Sequence, residues 1–136
     1  MGCTYLMLQK IQKTPGLFLG KKSLDALGHF LDGYEFRIWV ENWEKATGLD
    51  FFENYEEASR SSVGSKPREQ RFMYGFDRFV HLHYNCGMTV KSGIGLILEM
   101  SDSDEEAFDT FFELLDEFLK QKEASDLPVS EMFRFE

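Results

Sequence analysis

Cysteine is scarce in this chain, and long apolar runs are missing. The two cysteines, Cys3 and Cys86, lie far apart and form no Cys-x-x-Cys pair, so the sequence predicts neither a disulfide framework nor a zinc site. No run of about 18 apolar residues could span a membrane, and no charged-then-apolar leader opens the chain. We therefore expect a cytoplasmic protein with no membrane partner.

Short catalytic motifs are missing as well. The sequence contains no Gly-x-Ser-x-Gly, no Walker loop and no Gly-x-Gly-x-x-Gly, and Gly93-Ile94-Gly95 lacks a third glycine. Its carboxylates are plentiful but fall in charged runs, which do not resemble the paired acids of general acid–base catalysis. We predict a protein that is not an enzyme and that needs no cofactor.

His81, His83 and Cys86 are the residues that leave an enzyme open as an alternative. Two histidines two positions apart point to different faces of a helix, so they cannot bind one metal ion together. On a strand they could, and the three side chains could then supply the polar groups of a pocket. We expect a helix in this segment and no metal site.

Cations are few in the second half of the chain. The net charge is −9, but residues 1–68 hold nine basic and nine acidic side chains, whereas residues 69–136 hold six and fifteen. Because a nucleic-acid partner requires cations that neutralise phosphate, we expect none. The imbalance favours a cationic protein partner, although an acidic surface also serves solubility.

Phenylalanine, by contrast, is abundant. The 14 Phe predict an aromatic core, and 136 residues suit one helical domain over residues 1–136. The apolar periodicity predicts a mainly α, single-domain bundle of about five helices with a Phe-rich core. We expect a short buried connector at residues 17–20, a mobile loop at residues 59–67 and a tail at residues 124–136.

The segment from Ser23 to Val40 fits two patterns. Residues 34–40 alternate between apolar and polar as a strand would, but a longer helical pattern covers the whole segment. We favour one long helix with Ser23 as its cap, because Trp39 and Trp43 then share a face. That face packs in the core or, alternatively, forms an interface. The helical spacing is carried by Leu24, Leu27, Leu31, Tyr34 and Ile38.

Residues 93–100 leave the same choice open. Ser92 can cap a short apolar helix there. Gly93 and Gly95 weaken a helix, however, so that a buried strand also fits the pattern. We favour the helix.

The stretch SDSDEEAFDTFFELLDEFL, residues 101–119, consists largely of apolar residues and acids. Nine acids fall between Glu99 and Glu117 without one Lys or Arg. Ser103 and Glu106 have the spacing of a capping box, which predicts a helix beginning at Ser103. Its apolar side is buried, and the opposite side carries acids at spacings of 4, 3, 4 and 3: Asp102, Glu106, Asp109, Glu113 and Asp116.

The helix dipole accounts for negative charge only in the first turn of this helix. Carboxylates in the first turn stabilise a helix by about 0.3–1 kcal/mol each. Glu113, Asp116 and Glu117 lie too far along the helix to benefit, and neighbouring like charges cost about 0.2–0.5 kcal/mol per pair. We therefore predict that the acids bind a partner. The predicted binding residues are Asp102, Asp104, Glu105, Glu106, Asp109, Glu113, Asp116 and Glu117.

A resemblance supports this prediction. KIQKTPGLFLGKKSLDALGHFLDGY, residues 10–34, resembles small helical bacterial immunity proteins of polymorphic toxin and contact-dependent growth inhibition systems. FDRFVHLHYN and EEAFDTFFELLDEFL also resemble the second half of that group. The resemblance implies a mainly helical fold and a neutralising role, and it supplies no catalytic residues. The matching positions of the first segment are Pro15, Leu19, Gly20, Ser23, Leu24, Leu27, Phe30, Leu31, Gly33 and Tyr34.

We therefore expect an immunity protein whose acidic helix occludes the active-site cleft of a cognate toxin. The toxin's C-terminal domain would be basic, as expected of a nuclease that must hold phosphate. The alternative is a small cytoplasmic scaffold, or a homo-oligomer such as a homodimer, without a toxin partner. In that case Trp39, Trp43 or the tail would lie at an interface.

Overall fold

The protein is mainly helical, as a computed structural model shows. The structure describes residues 3–67, 71–87 and 89–124, and these contain seven α-helices and no strand. The predicted mainly α fold class is confirmed, whereas the count of about five helices is wrong. The helices are α1 (Cys3–Lys13), α2 (Pro15–Leu19), α3 (Leu24–Thr47), α4 (Tyr55–Arg60), α5 (Phe76–His83), α6 (Gly93–Met100) and α7 (Asp104–Ala124).

The two helices missing from the predicted count are α2 and α4, with five and six residues. Helices this short have too few turns to establish an apolar period. α2 begins at Pro15 and ends at Leu19, and the next residue, Gly20, has a left-handed φ of 79°. The prediction of a buried connector at residues 17–20 is also wrong, because α2 buries no residue and Leu17 is 80% exposed.

The long helices begin at the serines that the sequence indicated. The Ser23 hydroxyl accepts the Ala26 N–H at the start of α3, at 3.0 Å. Ser92 accepts the Gly95 N–H in α6, and Ser103 accepts the Glu106 N–H in α7, each also at 3.0 Å. These caps satisfy backbone donors that a helix start leaves unpaired. Residues 34–40 and 93–100 are therefore helical, and the strand alternative is wrong for both.

The main core forms around α7, which packs against α3, α5 and α6. Its apolar side contributes Phe111 and Phe118, both fully buried. The Phe118 ring lies 5.6 Å from each of the Phe76 and Phe79 rings of α5, and Leu8 of α1 packs in the same cluster. The expected Phe-rich core is confirmed, and the burial of one side of α7 leaves its opposite side to solvent.

A second, smaller cluster lies between the C-terminal part of α3 and the short helix α4. The Phe51 ring is fully buried there, 5.2 Å from the Trp39 ring and 5.7 Å from the Trp43 ring. Trp43 is only 2% exposed. Core packing is thus the role of Trp43, and the alternative prediction that places Trp43 at an interface is wrong for the structure described.

Residues 61–66 lie against α3. The Trp39 indole N–H donates to the Val63 carbonyl and the Asn42 side-chain amide donates to the Gly64 carbonyl, both at 3.3 Å. Gly64 has a φ of +79°, and a Cβ there would lie 2.7 Å from the Trp43 backbone nitrogen. Only glycine permits this approach. The predicted loop 59–67 thus starts within α4 and contacts α3, and its mobility stays a prediction.

Two further predictions concern the C-terminal tail and the lack of membrane-spanning helices. The predicted tail begins at Ala124, the last residue of α7, and residues 125–136 lie outside the described residues. Among the helices of the described ranges, none combines the length and the apolarity needed to cross a bilayer.

Candidate functional site

The exposed side of α7 carries four acids that form no ion pair within the described part of the chain. Glu105, Glu106, Glu113 and Glu117 are all exposed, and none of them forms an ion pair with a Lys or Arg of the described residues. Glu117 has a neutral neighbour, the Gln121 side-chain amide, at 3.5 Å. We call these four residues the α7 face. Its acids lie on one side because the buried residues of α7 recur at helical spacing on the other.

Asp104, predicted as part of the surface, instead points inward and caps another helix. Its carboxylate accepts hydrogen bonds from the Ser23 hydroxyl, from the Leu24 N–H at 2.6 Å and from the Asp25 N–H at 3.2 Å. Partial burial raises the pKa of Asp104, but these hydrogen bonds and the nearby Lys21 charge outweigh burial and lower the pKa below its ordinary value. Asp104 therefore joins the start of α7 to the start of α3.

We expect Asp104→Asn to lower the free energy of unfolding by about 1–2 kcal/mol at pH 7, because an amide accepts these hydrogen bonds less strongly than a carboxylate. Urea unfolding followed by circular dichroism measures this change. Glu105→Gln is the matched control: it removes the same charge one residue away, where the side chain is exposed. We expect the control to cost only the dipole contribution of an exposed first-turn carboxylate, about 0.3–1 kcal/mol and less than Asp104→Asn costs. Equal losses in both variants would contradict the capping role.

The pH dependence of this contribution follows from the lowered pKa. A carboxyl whose folded pKa is lowered stabilises the fold above its unfolded pKa, 3.8 for Asp104. That stabilisation is lost as the pH falls from this value through the lower folded pKa. The stability difference between the wild type and Asp104→Asn should therefore be constant near neutral pH and shrink in the acid range.

Asp109 and Asp116 lie beside the α7 face and contact residues from the beginning of the chain. The Asp109 carboxylate lies 2.8 Å from the Lys22 ammonium, an exposed ion pair. Asp116 accepts a hydrogen bond from the Tyr5 hydroxyl at 3.3 Å. Burial, then the Asp116 charge and this hydrogen bond, raise the pKa of Tyr5. Both acids are exposed on the helix but already have partners within the chain.

Glu106 and Asp102 complete the predicted set. Glu106 lies toward the end of α5, where burial and then the Glu106 charge raise the pKa of Tyr84. Asp102 is exposed but precedes the first residue of α7, so it does not continue the helical face. The structure therefore keeps four of the eight predicted acids together on α7 with no ion pair to a described cation, and it gives Asp104, Asp109 and Asp116 internal contacts.

The histidines of α5 have separate surroundings. His81 is buried, and its Nε2 lies 2.8 Å from the Lys91 carbonyl oxygen. His83 is exposed, with its ring 4.8 Å from the Tyr84 ring. Cys86 is exposed after the helix, its Sγ 3.5 Å from the His81 carbonyl oxygen. The predicted helix is confirmed here, and it turns the two imidazoles to different environments.

A cleft of about 470 Å³ lies between α3 and the segments around Ser61 and Phe72. Asp32 and Glu35 of α3 contribute carboxylates to its lining, and Lys66 and Arg71 contribute cations. The mixed charges and the surrounding aromatic side chains give it no single chemical preference. We assign it no ligand.

Sequence reasoning missed the capping acids. Besides Asp104, Asp77 of α5 accepts the Gly93 N–H at the start of α6, at 2.7 Å. Neither contact has a local sequence signal, since the partners lie 80 and 16 residues away along the chain. The sequence indicates Ser23 and Ser92 as the caps of α3 and α6. The second acceptor at each helix start, Asp104 for α3 and Asp77 for α6, reaches it only through tertiary packing.

Comparison with other proteins adds no family to this description: no protein-family model, no curated protein and no solved structure matches the chain. The functional interpretation therefore depends on the α7 face itself. That face offers exposed negative charge along one side of a helix.

Proposed function

We propose that this chain is an immunity protein that binds and neutralises the basic C-terminal domain of a cognate toxin. The observation that carries the proposal is the α7 face, where four exposed carboxylates form no ion pair with a described Lys or Arg. A surface shaped only by stability would mix its charges. A basic partner would supply the missing cations.

The second half of α7 supports the proposal most directly. Glu113 and Glu117 are four residues apart on one helix, so their like charges repel each other. They lie beyond the first turn, where the helix dipole no longer compensates negative charge. Glu105 and Glu106, in the first turn, have that compensation. The cations of a partner surface would attract both carboxylates and so offset the repulsion between Glu113 and Glu117.

The mechanism we propose is occlusion of the toxin's active site. A nuclease needs a cationic cleft to hold the phosphates of its substrate. The α7 carboxylates would lie against those cations and exclude the nucleic acid by occupying its place. Complementary charge also accelerates the encounter, most strongly at low ionic strength.

The helix that carries the α7 face is well suited to this task because it is held firmly. Its apolar side is buried from Ala107 to Leu119, and Asp104, Asp109 and Asp116 contact the start of α3, Lys22 and Tyr5 of α1. A surface fixed before binding loses little conformational freedom on binding. The carboxylates are thus presented in a defined array.

Titration calorimetry tests the proposal with the C-terminal domain encoded by the gene immediately upstream as the probe. We expect binding that is tight at low salt and weaker at high salt, because the proposed contacts are between exposed charges. Inhibition of that domain's activity by one equivalent of this chain would accompany binding. No heat of binding at either salt concentration, with a folded and active toxin domain, would contradict the proposal.

A further inference from the structure

Three aromatic rings from α3, α4 and the segment between them lie exposed next to one another. Phe36, Phe52 and Tyr55 are 40%, 61% and 52% exposed. They form a contiguous set, with 6.3 Å between the Phe36 and Phe52 rings and 6.3 Å between the parallel Phe52 and Tyr55 rings. We call them the aromatic patch. Single exposed apolar residues are ordinary, but adjacent rings form a surface with binding potential.

A buried ring, Phe51, supports the aromatic patch. The buried Phe51 ring contacts all three exposed rings, at 5.7 Å from Phe36, 5.2 Å from Phe52 and 5.9 Å from Tyr55. The Phe51 N–H donates to the Glu44 carboxylate at 3.0 Å, which fixes the backbone of the segment to α3. The exposed rings are therefore positioned by packing.

The segment that carries two of the three rings is negative on balance. Residues 45–60 contain four acids and two cations, Lys45 and Arg60, which lie at the two ends of the segment. The four acids are exposed, and none forms an ion pair with a described residue: Asp50, Glu53, Glu56 and Glu57. Aromatic rings attract a cation through their π faces, and carboxylates beside them add to that attraction.

We propose that the aromatic patch is a second binding surface, which takes a segment of a partner protein that presents Arg or Lys beside apolar side chains. The apolar groups would cover the rings, and the cations would meet the carboxylates around them. A second copy of this chain fits less well, because a symmetric contact would bring two acidic rims together. The proposal goes beyond the function proposed for the α7 face and does not require the partner to be a toxin.

Peptide titrations followed by backbone amide NMR test this assignment on the full chain. The probes are three synthetic peptides of equal length: one of Lys and Leu in an amphipathic pattern, one with Glu in place of Lys, and one with Ser in place of Leu. We expect only the Lys–Leu peptide to bind at the patch, shifting the amide signals of residues 49–57. Equal binding of the Glu–Leu or Lys–Ser peptide there would overturn the proposal.

The variant Phe52→Ser with Tyr55→Ser removes two exposed rings and should leave the fold intact. Leu17→Ser is the matched control, since Leu17 is 80% exposed on α2 and outside the patch. We expect the double variant to bind the Lys–Leu peptide at least about tenfold more weakly and the control to bind it unchanged. An unchanged affinity of the double variant, with an unchanged circular dichroism spectrum, would overturn the proposal.

Two other occupants give distinct results. If a second copy covers the patch, sedimentation of the wild type will show a dimer that grows with concentration and that the double variant lacks. If the chain covers the patch itself, the double variant will shift the amide signals of residues 125–136 without any peptide. Either result would overturn the proposal of a foreign basic partner.

Discussion

Replacing Phe118 by Ala is expected to lower the free energy of unfolding of the whole protein by about 3–5 kcal/mol. Phe118 is fully buried, and its ring joins α7 to the Phe76 and Phe79 rings of α5. Its removal leaves a cavity in the cluster that also holds residues of α1, α3 and α6. Such a loss is large against a typical total of about 5–15 kcal/mol. Urea unfolding monitored by circular dichroism measures it.

Phe51→Ala makes the same chemical change in the smaller cluster, and we expect a different consequence. Phe51 is as fully buried as Phe118, but its neighbours are Trp39, Trp43 and the aromatic patch. Hydrogen exchange should therefore show lost protection in α4 while α7 keeps its protection. Phe118→Ala should lower protection throughout the main core. An equal loss in α7 for both variants would contradict the division into two clusters.

The long helices could be predicted from the sequence because they carry local signals. α3 and α7 each repeat an apolar spacing over several turns, and each begins beside a capping serine, Ser23 or Ser103. The same reasoning found α6 from Ser92 despite two glycines. Periodicity accumulates with length, so these predictions gained support from every turn.

The short helices had no comparable signal. α2 and α4 complete fewer than two turns each, and α2 buries no residue, so no apolar stripe marks it. The approach of Gly64 to α3 was equally hidden, because it depends on a partner about 20 residues away in the chain. Glycine alone in a polar segment predicts a turn rather than a contact.

The candidate site was partly predictable, because the apolar period of α7 also indicates which of its residues are exposed. The exposure of Glu113 and Glu117 follows from the helical period of the buried residues around them. The inward role of Asp104 and the partners of Asp109 and Asp116 do not, since Ser23, Lys22 and Tyr5 lie 81, 87 and 111 residues away. Tertiary packing decides which acids remain free, and a single helix sequence does not contain that information.

Reversing the charge of the α7 face should have the largest effect on partner binding. We expect Glu113→Lys with Glu117→Lys to slow association with the basic toxin domain by about 10- to 100-fold at low ionic strength. Both side chains are exposed and have no described cationic partner. The change should therefore alter the free energy of unfolding by less than about 0.5 kcal/mol.

Asp32→Lys with Glu35→Lys is the control for overall charge. These two acids are exposed on α3, and each double variant moves the net charge from −9 to −5, because each reversal adds two positive charges. A general effect of net charge would slow association equally in both variants. If the position of the charges matters, only the double variant of α7 will associate more slowly.

The most direct test of the α7 face is the association rate constant with the upstream-encoded toxin domain, measured by stopped flow at several salt concentrations. We expect the α7 double variant to associate slowly and with little dependence on salt, while the wild type and the α3 control associate fast at low salt and more slowly as salt is added. Indistinguishable rates for the two double variants at every salt concentration would contradict the account, because the α7 carboxylates would then have no special part in the encounter.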